Sequence, residues 1–208
     1  MIAHDCTRLQ EELVPRISYV DPTSVTDPEL AGYLEDSRTY GTPRLESQAI
    51  RAHVPDVLRT FATSWQLVFR EGVLDHSIKE LCRVFVAKSL DCGYCAGQRS
   101  HLGAAAGLTE REFDDVIEFR DSTVLGAREK AALRWAEAIA WDPDLADDEV
   151  WRDLHEHFTE PELVELGYFI GLTMGQQKFL KTLGVRHGDL GSTSLAGLAP
   201  DVAAQLGR

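Results

Sequence analysis

Cys92-Gly93-Tyr94-Cys95 is the segment of this chain whose residue types and spacing most directly offer chemistry. Two thiols three positions apart fit within one helical turn, close enough to form or break a disulfide without moving the fold around them. Asp91 and Gly93 interrupt the apolar run before them, so the pair is expected to open a new helix. A thiol there feels the positive end of the helix dipole, which favours the reactive thiolate. Glu80, upstream, is what a proton-handling partner would look like. The bland alternative for the cysteines is a pair of small buried hydrophobes. For Glu80 it is a capping box, Ser77-x-x-Glu80, in which the carboxylate only satisfies a backbone N–H. Val84 and Ala87 share the face of Glu80 and turn it toward apolar surroundings, where a carboxylate needs a reason to be. A zinc site is not expected, because no second Cys-x-x-Cys or His pair completes four ligands. Cys82, inside an apolar run, and Cys6, in an irregular stretch, are expected to have no redox role.

The elements that must position these residues read as helices throughout. Weak helical signals cover 28–36 and 45–52. Pro55 then starts an amphipathic helix through Leu58, Phe61, Trp65 and Phe69, closed by Gly72. The next helix, from Asp75 or Ser77, is apolar on nearly every side and belongs in the middle of the core. The helix opened by the cysteines is expected to run to Gly107. Thr109 with Glu112, and Thr159 with Glu162, are capping boxes for two more. Further helices are expected at 126–141, 147–157 and from 159 to Gly184. No strand pattern has comparable strength, so the expected fold is all-α. The expected organisation is an irregular segment 1–27, a single domain 28–186 and a tail 187–208.

Composition narrows the partners. The 208 residues carry 21 Lys and Arg against 34 Asp and Glu, a formal net charge of −13. That balance argues against nucleic acid and anionic membrane surfaces, which call for basic patches. No apolar run approaches the roughly 20 residues of a membrane span. Met1-Ile2-Ala3-His4-Asp5-Cys6 lacks the marks of a secretory leader, so the cytoplasm is the expected compartment. In that compartment a Cys-x-x-Cys is more often catalytic or metal-binding than structural.

Glu80, Cys92 and Cys95 at this spacing, followed by Ala104-Ala105-Ala106-Gly107-Leu108, resemble the carboxymuconolactone decarboxylase superfamily and most of all its alkylhydroperoxidase D-like branch. The likeness extends through Ala52-His53-Val54-Pro55, Gly72-Val73-Leu74-Asp75, Ala127–Leu133 and Thr182-Leu183-Gly184-Val185. The resemblance implies a helical subunit with a helical-hairpin core, assembled as a homotrimer or homohexamer. It implies thiol-dependent reduction of a hydroperoxide without a cofactor, reset by a dithiol reductant. Cys95 would be the peroxidatic thiol, Cys92 the resolving one, and Glu80 the start of a proton relay.

Two positions depart from the branch. Arg99 stands where a relay histidine is found four residues after the second cysteine, and Tyr94 stands at the histidine between the cysteines. In one continuous helix Arg99 would share a face with Cys95, while His101 would point about 120° away. Arg99 is therefore expected to bridge Glu80 and Cys95, activating the thiolate by charge, since guanidinium does not release a proton near neutral pH. His101 is expected at a surface or interface, and His53 as a hydrogen-bonder at a helix entry that also aligns with a family position. Tyr94, His101 and His53 are thus possible accessory residues. Two rival functions stand beside the peroxidase. One is a decarboxylase or isomerase whose Arg99 holds the carboxylate of a small-acid substrate. The other is a non-catalytic helical assembly protein.

Overall fold

A computed structural model describes residues 15–39 and 44–191, and among these every regular element is helical. The longer elements, with the short turns beside the cysteines, are α1 (Pro28–Thr39), α2 (Leu45–Arg51), α3 (Pro55–Ser64), α4 (His76–Ser89), α5 (Gly93–Ala96), α6 (His101–Ala105), α7 (Glu110–Asp115), α8 (Ala127–Ala140), α9 (Asp148–His157) and α10 (Glu160–Leu183). α3 continues into a π-helical stretch, Trp65–Arg70, before Gly72 turns the chain with φ 84°. Both expected capping boxes are formed, Thr109 with Glu112 and Thr159 with Glu162. Gly184 ends α10 in the left-handed conformation, which a residue without Cβ adopts at little cost. No helix among the described residues is long and apolar enough to cross a membrane.

α4 is the axis of the molecule, packed against α8 and α10. Leu81, Val84, Phe85, Leu133, Leu166 and Ile170 join in its main apolar cluster, with Phe113 and Phe119 closing one end. Burial extends to its charged residues: Lys79, Glu80 and Arg83 are all within 1% of fully buried. Lys79 is neutralised by Glu165 of α10 at 2.8 Å and by the carbonyls of Val68 and Glu71. Glu80 and Arg83 meet each other and the segment that bears the cysteines.

That segment departs from expectation. Instead of one helix running to Gly107, the chain makes the short α5, leaves the helical path at Gly97 and restarts at α6. The cause lies in Arg83. Its Nη1 donates to Cys95 O at 2.9 Å and its Nη2 to Gln98 O at 2.7 Å, carbonyls that would otherwise accept helical bonds. Ser100 then caps the new helix, its Oγ accepting from Leu102 N at 3.2 Å. Gly103 of α6 permits the close return: a Cβ added there would lie 3.1 Å from Glu80 Cγ. The hairpin of α4 with α5 and α6 is thus present, with a broken second arm.

The other end of the domain also differs from a freestanding tail. Val185 packs with the cysteines, and residues 187–190 turn back onto the same domain. Residues 1–14 and 192–208, most of the expected irregular segment and tail, lie outside the described residues.

Candidate active site

His76, Glu80 and Arg83 recur at four- and three-residue intervals and so form one stripe of α4. Arg83 grips Glu80 with a fork: Nε to Oε2 and Nη2 to Oε1, each 2.8 Å. With the bonds to Cys95 O and Gln98 O, four of the five guanidinium N–H groups are engaged. Ser100 N donates to Glu80 Oε1 at 2.9 Å. Burial alone would raise the Glu80 carboxyl, but the Arg83 charge and hydrogen bonds, with His76 and the Ser100 N–H, outweigh it and lower its pKa. Glu80 is therefore an ionised carboxylate held in place, and its Ser77 capping role does not occur: Asp75 is the N-cap of α4.

His76 extends the network. Nδ1 lies 2.9 Å from Phe69 O, which can only accept, so Nδ1 carries the proton. Nε2 then accepts, and Ser100 Oγ, 3.0 Å away, donates to it. Burial pushes the imidazole down to about 4, so it is neutral at physiological pH. Ser100, almost fully buried, thereby joins His76 through its hydroxyl and Glu80 through its backbone.

Cys92 and Cys95 are joined as a disulfide with Cα atoms 5.3 Å apart. Cys92 is the N-cap of α5 and its Sγ accepts from Cys95 N at 3.4 Å. Each is only 3% exposed, packed among Ile50, Ala87, Leu180, Leu183 and Val185. Tyr94, between them, donates to the buried Glu46 at 3.3 Å and stacks on His187 with ring centroids 4.2 Å apart. His187 Nε2 donates to Tyr94 O at 2.7 Å, and Glu46 Oε1 accepts from Gly188 N and Leu190 N. A strap formed by residues 187–190 is thus fastened to the loop that holds the disulfide.

Arg99 does not bridge Glu80 and Cys95. Its Nε and Nη2 fork onto Glu110 at 2.9 and 2.8 Å, its Nη1 donates to Ala96 O and Gln98 O, and its plane covers Phe113. The break at Gly97 removes the helical register that would have set Arg99 on the face of Cys95. His101 begins α6 and is half-buried. His53 is exposed and donates to Ser18 O at 2.8 Å, tying down the chain before α1 rather than joining the site. Cys82 is fully buried, and burial pushes its thiol up, away from reactivity. Sequence reasoning missed Arg83, His76 and Ser100. The available signal was an opposite-charge pair, Glu80 and Arg83, inside an otherwise apolar helix.

Residues 55–138 match the model of the carboxymuconolactone decarboxylase family, a stretch that includes Glu80, Cys92, Cys95 and Arg99. An uncharacterized protein of Mycobacterium tuberculosis is 33% identical over 103 residues, which are 50% of this chain and 36% of that protein. The uncharacterized protein YnjA of Escherichia coli is 28% identical over 103 residues, 50% of this chain and 57% of its own length. The match therefore spans well under two thirds of either relative. Among solved structures, an uncharacterized peroxidase-related protein of Ralstonia eutropha with an alkylhydroperoxidase D core superposes with a TM-score of 0.70 at 18% identity, covering 90% of this chain and 98% of that one. The debrominase Bmp8 superposes with a TM-score of 0.63 at 16% identity, covering 86% and 91%. The segment that bears the cysteines thus matches the carboxymuconolactone decarboxylase family, and the chain shares the all-helical fold of a protein with an alkylhydroperoxidase D core.

Proposed function

We propose that this protein is a dithiol oxidoreductase that reduces hydroperoxides through Cys95 and Cys92. The observation that supports it is the Cys92–Cys95 disulfide set against the buried Glu80–Arg83 pair. In the reduced protein the Cys95 thiolate attacks the distal peroxide oxygen; the O–O bond breaks, and the leaving alkoxide takes a proton and departs as an alcohol. The resulting sulfenic acid is attacked by Cys92, which closes the disulfide and releases water. An external dithiol returns two electrons and two protons. Arg83, paired with Glu80, fixes the backbone of the cysteine turn through its bond to the Cys95 carbonyl. Proton handling falls to the Glu80, Ser100 and His76 network rather than to residue 99.

The small-acid reading with Arg99 on the substrate carboxylate is not favoured, because Glu110 already occupies that fork. The test is to reduce the protein, add a stoichiometric hydroperoxide and follow the thiols by mass spectrometry. Two thiols are lost per chain with formation of the Cys92–Cys95 disulfide. Cys92→Ser leaves Cys95 oxidised but unresolved, and Cys95→Ser abolishes turnover. Arg99→His leaves the rate near that of wild type. Thiols that survive excess hydroperoxide would refute the proposal.

A further inference from the structure

Tyr94, which stands between the two cysteines, meets the strap 187–190 in three ways. Its ring lies against that of His187, with centroids 4.2 Å apart. Its carbonyl accepts from His187 Nε2 at 2.7 Å. Its hydroxyl donates at 3.3 Å to Glu46 Oε2, and the other oxygen of that carboxylate accepts from Gly188 N and Leu190 N at 3.2 and 3.3 Å. Glu46 is fully buried, whereas Gly188 and Asp189 are exposed, so the strap is held by these contacts rather than by depth. On its far side Asp189 accepts from Tyr19 Oη at 2.7 Å, and Leu190 packs against the cluster of Leu30, Leu34, Leu45 and Leu58.

Reduction of the disulfide adds two electrons and two protons, breaks the S–S bond and leaves two thiols; the dithiol that supplies them departs as its own disulfide. Unbonded sulfur atoms stand roughly 1.5 Å or more further apart than bonded ones. Both cysteines are 3% exposed and pack among Ile50, Ala87, Leu180, Leu183 and Val185, and a close-packed interior has no void to absorb the change. Ala87 belongs to α4, and Leu180 and Leu183 to α10, the helices that the main core holds. The short α5 and Val185 lie outside that core. The displacement therefore falls on them, and Tyr94 is carried with it.

We infer that the strap is a redox-coupled latch, docked on Tyr94 while Cys92 and Cys95 are bonded and released when they are reduced. Such coupling is reciprocal: a docked strap favours the disulfide, and a loosened one favours the dithiol. The inference rests on reading the pair as a reversible dithiol, but not on hydroperoxide as its oxidant.

The test is amide exchange on the full chain in its disulfide and dithiol forms, each verified by intact mass. Dithiothreitol under argon makes the dithiol, and both forms are held at one pH. The Gly188 and Leu190 amides exchange at least about tenfold faster in the dithiol, the range that loss of a ring contact and a hydrogen bond implies. Amides of α4 and α8 keep their protection. In Cys95→Ser, added dithiothreitol changes neither strap amide. His187→Ala shifts the equilibrium of the pair with glutathione toward the dithiol, by about tenfold on the same ground. The exchange comparison uses the unmutated chain, so a folding defect cannot imitate it. Equal exchange of Gly188 and Leu190 in the two verified forms overturns the latch and leaves the dithiol reading standing. A glutathione equilibrium that His187→Ala leaves unmoved does the same. A disulfide that survives excess dithiothreitol in the folded chain overturns both.

Discussion

Glu80 and Arg83 form a salt bridge within one turn of a helix, yet no part of it reaches water. Replacing such a pair with apolar groups is often neutral, whereas removing one partner costs roughly 3–5 kcal/mol by stranding the other. The pair is therefore best understood through its remaining bonds, which shape the cysteine turn. His76 is the titratable neighbour whose effect has a definite direction. Unfolded, its imidazole takes a proton near 6.5, whereas in the folded protein burial holds that event down to about 4. Its contribution to stability is thus complete above pH 6.5 and is lost as the pH falls toward 4. Glu80 contributes with the same sign, but its lowered carboxyl matters only below the ordinary 4.5. His187, also lowered by burial, keeps some slope in the upper window. Urea midpoints measured across these pH values should fall steadily in wild type, and His76→Gln should flatten the upper part of the curve. An unchanged slope would mean that His76 is not held neutral.

α5 and α6 show what an element owes to its surroundings. The helices that were legible in the sequence, α4, α8 and α10 above all, carry their own signals: apolar residues at helical spacing, a capping box, a terminal glycine. The proximity of Cys92 and Cys95 was legible as well, because their spacing is local, whereas Glu80 was singled out only by resemblance to a family. The break at Gly97 was not, because its cause is a guanidinium from α4 taking two carbonyls of a distant turn. The misplacement of Arg99 follows from that one break, and so does the unforeseen part played by Ser100. The strap 187–190 was hidden for the same reason, since it is held by Tyr94 and Glu46 from two other elements. With the cysteines nearly inaccessible, a reductant must displace something to reach them. A chain ending at Arg186 should have its disulfide reduced faster by dithiothreitol, in a stopped-flow thiol assay, than the full chain. Equal rates would assign access to another route.

Seen as a whole, the molecule leaves one long helix incompletely covered. Val164, Tyr168 and Phe179 of α10 are 74%, 56% and 40% exposed, and with the partly exposed Leu172 they follow helical spacing along one stripe. Large apolar side chains aligned in this way mark association surfaces more often than bare solvent-facing helices. Homo-oligomerisation is the expected outcome, despite a net charge of −13 that would otherwise keep copies apart. Light scattering should give a mass several times that of one chain, and Tyr168→Glu should lower it. A wild-type mass that stays at one chain over a dilution series would remove the expectation of a trimer or hexamer.

The four bonds made by Arg83 also carry a kinetic consequence. While the chain is still collapsing, Glu80 and Arg83 remain hydrated, and stripping that water is costly until the carbonyls of Cys95 and Gln98 arrive to replace it. Full burial of the ion pair therefore waits for the cysteine turn, which completes the solvation of a charge that α8 and α10 would otherwise bury unmatched. The transition state should contain the apolar parts of α4, α8 and α10 with the ion pair still wet, and residues 92–100 should settle afterwards. Pulse-labelled amide exchange during refolding should find the helical core protected before this stretch, and simultaneous protection would show that the charge is desolvated earlier than its physics suggests.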